Sequence, residues 1–311
     1  MGHSRKFRFG VQFVNATGAD DWRRKVQEAE TLGYDAVCLS DHFGDQLAPL
    51  TALMQAADAT RNVRVGAGVF DNDFRHPVVL GKELATLDLL SGGRLELGIG
   101  AGWMKKDYDE SGIPYDTPRI RLDRFEEAVA VLKGLFSSSP LNFEGRYYQV
   151  KMEGRPRCVQ RPHPPFFIGG GGRRMLGIAA READIVGINF NLAAGEYGPG
   201  LGADASVEST QRKLGWVREA AGARYADLEL NVLAFVVVVT PAREQVAKAV
   251  GPHFNLSGEG VLAMPYALIG SLDEIVATLE ERRAMWDISY VTVGESSMHA
   301  FAPVVARLAG R

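Results

Sequence analysis

Along the chain, short apolar runs with strand character alternate with longer stretches whose apolar positions recur at helical spacing. Phe7 to Phe13 predicts a first strand. Asp20 to Leu32 follows as a helix with Trp22, Val26, Ala29 and Leu32 on one stripe. Ala36 to Leu39 predicts strand two, and Pro49 to Thr60 its helix. The stretch from Val63 to Trp103 is the most informative. Val63, Val65 and Val69 suit a pleated surface. Pro77 opens a helix, because its missing N–H costs nothing at the first helical position. Gly92 and Gly93 stop that helix in the left-handed region, and Arg94 to Ile99 form strand four. The next helix runs from Arg119 to Phe136 with Leu122, Phe125, Val129 and Leu132 on one face. Residues 137–150 read as a hairpin around Gly145, and 153–165 as a proline-rich extended segment. Strand five is Phe166 to Ile168, with a helix through Ala183. Strand six is Ile185 to Ile188, with a helix from Val207 to Ala221. Strand seven reads as one run from Leu230 to Val239, and a helix follows Pro241 as far as Val250. Ser271 to Glu274 is a capping-box pattern that opens a helix to Met285. Strand eight is Ile288 to Val293, and Phe301 to Leu308 closes as a helix.

A strand–helix–strand unit of this length implies a right-handed crossover and a parallel pair. Eight such alternations predict an α/β fold, a (β/α)8 TIM barrel with insertions after strands four, six and seven. The proline-rich segment falls between strands four and five, where a half-barrel on either side could not close. A single domain over residues 1–311 is therefore expected. Hydrophobic residues make up 46% of the chain and charged ones 23%, with a net charge of −3 and both signs interspersed. This balance argues against a nucleic-acid or membrane-surface partner. Cys38 and Cys158 are too few for a disulfide framework. No apolar stretch precedes the first strand, and the longest apolar run, Val232 to Val239, is too short to span a bilayer. A cytoplasmic protein is the expectation.

Ligands of such barrels sit at the carboxyl ends of the strands, and the residues there carry the candidate chemistry. Asp41 and His42 follow strand two directly, as site residues or as a loop cap with a surface histidine. Gly169 to Gly172 stand between strand five and a helix beginning near Arg173 and Arg174. Bare N–H groups ahead of a helix make an anion site, although a flexible turn has the same composition. Arg75 and His76, ahead of Pro77, read as loop-fixing scaffold. Trp103, at the mouth of strand four, is a wall for a flat ligand or a core residue. The histidines show no paired spacing, so no metal is expected. With neither metal nor nucleophile, a bound organic cofactor is left to do the chemistry. Residues 103–118, 190–205 and 252–269 are expected to form the lid.

These residues resemble the bacterial luciferase-like superfamily of flavin and deazaflavin barrels, in its actinobacterial branch that uses coenzyme F420. The carriers are LSDHF at 39–43, VGAGV at 65–69, FRHPVVL at 74–80 and ATLDLLSGGRLELGIGAGW at 85–103. RLDRFEEAVAVLKGLF at 121–136, FEGRYYQV at 143–150, FFIGGGG at 166–172 and AAREADIVGIN at 179–189 complete the set. The resemblance implies a cis non-prolyl bulge at Gly68–Val69 behind a tricyclic ring. Asp41, Gly68, Val69 and Gly102 would touch the ring or its chain, and Gly169, Gly170, Gly171 and Gly172 with Arg173 would hold the phosphate. His42, with Asp41, would be catalytic, while Gln12 and Trp103 would face a small-molecule substrate. Asp71 stands where the family has a hydroxyl or amide, and a carboxylate donates only when protonated; Asn72 is the substitute. Trp103 replaces a glutamate of the sugar-phosphate dehydrogenases, which favours an apolar or planar substrate. The implied activity is F420-dependent hydride transfer, with a reduced-FMN monooxygenase as the rival, in a homodimer. A polyglutamyl tail would be met by Arg155, Arg157, Arg161, Arg173 and Arg174.

Overall fold

Eight parallel strands close into a barrel in the computed structural model, which describes residues 5–137, 140–154, 156–198 and 201–311. The strands are β1 (Arg8–Phe13), β2 (Ala36–Leu39), β3 (Arg64–Ala67), β4 (Leu95–Gly100), β5 (Phe166–Gly170), β6 (Ile185–Ile188), β7 (Glu229–Ala234) and β8 (Ile288–Gly294). Each pairs with its chain neighbours, and β1 meets β8 in parallel register from Arg8↔Tyr290 to Gln12↔Gly294. The helices that follow them are α1 (Ala19–Thr31), α2 (Pro49–Ala59), α3 (Pro77–Leu90), α4 (Pro118–Ser137), α5 (Arg173–Glu182), α6 (Val207–Ala221), α7 (Leu272–Trp286) and α8 (Met298–Leu308). Their apolar stripes bury Trp22, Val26, Leu84, Phe125, Leu176 and Val305 against the strands. The (β/α)8 architecture is the one predicted.

Local signals hold where they are strongest. His76 caps α3 ahead of Pro77 by accepting from the Val78 N–H, which gives Arg75–His76 their scaffold role. Gly92 and Gly93 take positive φ at its end. The Ser271–Glu274 capping box opens α7. The hairpin forms, Leu141–Glu144 against Gln149–Met152.

Strand seven is the main correction. The run to Val239 is two strands that part at Phe235. Val236–Val239 leaves the barrel and pairs with Ala267–Gly270 in a separate two-stranded sheet. Apolar periodicity reports that a residue is covered, not which sheet covers it, so one valine-rich run reads as one strand. The segment between holds helices Arg243–Phe254 and Gly258–Ala263, the first running past Val250. The final helix starts at Met298, one turn earlier than expected.

The amino end of the barrel interior is filled by an ionic layer. Arg8 pairs with Glu96 and, at 2.6 Å, with Glu229, and Arg64 reaches Glu96 at 2.8 Å. The carboxyl end is open. Among the described residues no helix is long and apolar enough to cross a membrane.

Candidate functional site

At the carboxyl ends of the strands lies a cavity of about 440 Å³. Every residue proposed above for catalysis, for the ring and phosphate of the cofactor or for substrate lines it except Asn72; Arg157 and Arg161, proposed for the polyglutamyl tail, do not. Asn72 is a correction: it is buried behind the cavity, its Nδ2 donating to the Tyr148 hydroxyl at 3.3 Å. Of the expected lid, 103–118 contributes Trp103 and Pro118, and 190–205 contributes Phe190 to Ala193. No residue of 252–269 lines the cavity. That segment packs on the outer helices, and its helix Gly258–Ala263 lies against Arg243–Phe254.

The His42 ring stands beside the β2 end with Nδ1 2.6 Å from Oδ2 of Asp107. Asp107 is buried on the short helix Lys105–Ser111, and its other oxygen accepts from the Phe43 N–H at 3.2 Å. A carboxylate so fixed keeps the proton on Nδ1 and directs Nε2 as the exchanging atom. Trp103 stands edge-on to His42 at 5.7 Å and meets Tyr197 at 5.0 Å. The two insertions are latched together by the Lys105 N–H, which donates to the Gly195 carbonyl at 3.0 Å, and within the first the Tyr115 hydroxyl donates to the Trp103 carbonyl at 3.0 Å.

Asp41 is not free to act as an acid or base. Arg75 forks onto both its oxygens, and Oδ2 also accepts from the Asp71 N–H at 3.0 Å. Its role is to tie the β2 end to the bulge. There the Gly68–Val69 peptide is cis, and the Val69 side chain lies over Gly98 and Gly100 of β4.

Asp71 sits two residues past the bulge, 8% exposed. The Tyr108 hydroxyl lies 3.3 and 3.1 Å from its two oxygens and 3.0 Å from Oδ2 of Asp73. A hydroxyl has one proton to donate, so two carboxylates around it call for a second proton. Arg124 pairs with Asp73, at 2.8 Å, and no cation reaches Asp71 among the described residues. Burial, reinforced by the Asp73 and Asp41 charges, pushes the Asp71 carboxyl up to about 7. The second proton therefore belongs to Asp71, which makes it a donor near neutral pH. Gly102 allows this cluster: at φ +73°, a Cβ there would come within 1.8 Å of the Tyr108 hydroxyl.

Opposite the bulge, Gly169 to Gly172 lead into α5, whose first N–H groups have no side-chain cap. Gly171 packs against the chain at Phe190–Asn191, where a Cβ would meet backbone at 2.2 Å. The cations behave differently from expectation. Arg173 pairs with Glu219 at 3.2 Å, and Arg174 with Asp123 at 2.6 Å and Glu126. Arg157 and Arg161 do not line the cavity. They flank Val159 and Gln160, which are tied to Asp88 and to the Leu95 carbonyl at the opposite, amino end of β4. Arg155 lies outside the described residues.

Two residues were missed from the sequence. One is Asp107, hidden in an insertion 65 residues from His42. The other is Arg121, in the first turn of α4 and only 3% exposed. It lies over the Tyr115 ring, donates to the Asp116 carbonyl at 2.5 Å and lines the cavity. Its Nε has no hydrogen-bond partner, and among the described residues no carboxylate pairs with it. An arginine inside the first turn of a helix that follows a barrel strand was the available signal.

Residues 1–287 match the family model described as luciferase-like monooxygenase. The FMNH(2)-dependent dimethylsulfone monooxygenase of Pseudomonas putida is 28% identical over 225 residues, covering 70% of this chain and 58% of that protein. The F420-dependent glucose-6-phosphate dehydrogenase of Amycolatopsis mediterranei is 31% identical over 190 residues, 58% of this chain and 55% of that protein. The matches thus span little more than half the length of these curated relatives. Among solved structures, the coenzyme F420 dependent tetrahydromethanopterin reductase from Methanopyrus kandleri superposes with a TM-score of 0.77 at 19% identity. It covers 98% of this chain and 100% of that one, a likeness of fold.

Proposed function

This chain belongs to the luciferase-like monooxygenase family, and from that premise we propose that it transfers a hydride between coenzyme F420 and a small organic substrate. The observation that carries the reading is the pairing, within one cavity, of an anion cradle and an oriented histidine. The residues fit the cofactor: Arg121 presents a buried, unpartnered Nε, and the glycine loop leaves no room for side chains at Gly171. Gly169 to Gly172 and Arg121 would hold the phosphate. Asp41, Gly68, Val69, Asp71 and Gly102 would hold the ring and its chain. When bound, a deazaflavin supplies or accepts hydride at its C5. His42, held at Nδ1 by Asp107, gives or takes the substrate proton at Nε2. Asp71 donates a hydrogen bond while protonated, and Gln12 and Trp103 face the substrate.

One observation favours reduced FMN instead. Arg157 and Arg161 stand away from the cavity, and Arg173 and Arg174 are already paired, so a polyglutamyl tail meets few free cations there. Fluorescence titration of the protein with F420 and with FMN decides between the two. Tighter F420 binding is expected, and tighter FMN binding overturns the F420 reading. Unchanged turnover in His42→Ala would remove the catalytic assignment.

A further inference from the structure

The cavity is electrostatically lopsided. Its arginines, Arg121, Arg173 and Arg174, all stand on α4 and α5, beside β4 and β5. Across the mouth, where β1, β6, β7 and β8 end, the lining side chains include Gln12, Asn189, Phe190, Asn231, Leu233 and Thr292. Among the described residues lining that side there is no Lys, Arg, Asp or Glu. Its polar groups are neutral and partly spare. Asn231 Nδ2 donates to Thr292 Oγ1 at 3.0 Å, which leaves the threonine proton available. The Gln12 amide makes no side-chain hydrogen bond among the described residues. Outward from this wall, beyond the ends of β1 and β7, Val14 and Phe235 are 43% and 39% exposed and share a second pocket with Lys25 and Glu295, whose charges pair with each other at 2.7 Å. Trp103 and Tyr197 pack on one another past His42.

An anionic group placed against this wall would give up its water and gain no counter-charge, which is costly in a semi-enclosed site. An apolar body gains from the same wall, and one or two oxygens find donors at Gln12 and Thr292.

Resting on the oxidoreductase reading above, we propose that the substrate is an uncharged, largely apolar molecule bearing a hydroxyl or carbonyl, of the alcohol or ketone class. The neutral wall of β1, β6, β7 and β8 then selects against phosphorylated and carboxylated compounds. This differs from the phosphorylated sugar for which the glucose-6-phosphate dehydrogenase relative is named.

The test compares cyclohexanone with cyclohexanecarboxylate, similar in shape but different in charge, and with glucose 6-phosphate. Binding is read by saturation-transfer NMR in full-length protein. The glycine-loop side is filled first with saturating FMN, or with inorganic phosphate if FMN does not bind, so that Arg121 draws no probe. Cyclohexanone is expected to bind about tenfold or more tighter than either anion, and Leu233→Lys to narrow or reverse that order. Equal or tighter binding of either anion by the wild-type protein, or no detectable binding of cyclohexanone, overturns the proposal. If neither F420 nor FMN binds while the preference for the neutral probe persists, the functional reading alone fails.

Discussion

Replacing Asp71 with Asn removes the titrating proton and keeps the shape of the side chain. The carboxyl is 8% exposed, and burial together with the Asp73 and Asp41 charges raises it from 3.8 to about 7. Hydrogen bonds from the Asp73 N–H and the Tyr108 hydroxyl act the other way, and the nearby guanidiniums are committed to Asp41 and Asp73. An acid raised in the folded state keeps its proton after the unfolded chain has released it. Native stability therefore falls as pH rises from about 4 to about 7, and the loss is complete above that. At 1.36 kcal/mol per pH unit, about three pH units come to about 4 kcal/mol. The Asn variant lacks this loss, while titrating groups that do not interact with Asp71 are common to both proteins and cancel in the comparison. Urea unfolding at pH 5 and pH 8 is the assay. Between those pH values the wild type should lose about 3 kcal/mol relative to Asp71→Asn. A relative change below about 1 kcal/mol, or one of opposite sign, would refute the protonated Asp71. The same proton decides hydrogen bonding, since Asp71 can donate below about 7 and only accepts above it.

Asp107→Asn should lower turnover by about a hundredfold with little change in KM, because Nε2 of His42 is no longer directed by a carboxylate. Steady-state kinetics check this, and an equal loss in KM would point to binding instead. Arg121→Met should weaken binding of FMN or inorganic phosphate by about 10- to 100-fold, the worth of a charge-assisted hydrogen bond. Titration calorimetry at two salt concentrations should show both the loss and a flatter salt dependence. Gly102→Ala places a methyl 1.8 Å from the Tyr108 hydroxyl at a positive φ. It should cost about 3 kcal/mol or more in urea unfolding, and wild-type stability would contradict the packing of the Asp71 cluster.

The alternation of elements, the Pro77 start and glycine stop of α3, the capping box of α7 and the glycine loop after β5 were legible in the chain itself. Each depends on residues within a few positions of one another, through periodicity, backbone preference or a local hydrogen bond. Because barrel strands place ligands at their carboxyl ends, the positions of Asp41, His42, Gly102 and Trp103 followed as well. What those residues can do was decided elsewhere. Asp41 looks like a catalytic acid until Arg75 is seen to hold both its oxygens. His42 acquires its orientation from Asp107, 65 residues away in an insertion. Asp71 keeps a proton because Arg124, which could have ionised it, is spent on Asp73. Arg121 becomes a cavity cation that no carboxylate pairs among the described residues, while Arg157 and Arg161 fall at the far end of the barrel. The valine run after β7 changes sheet at Phe235. Charge pairing, burial and sheet membership depend on which distant segments the closed barrel brings within a few ångströms, and no local pattern carries that distance.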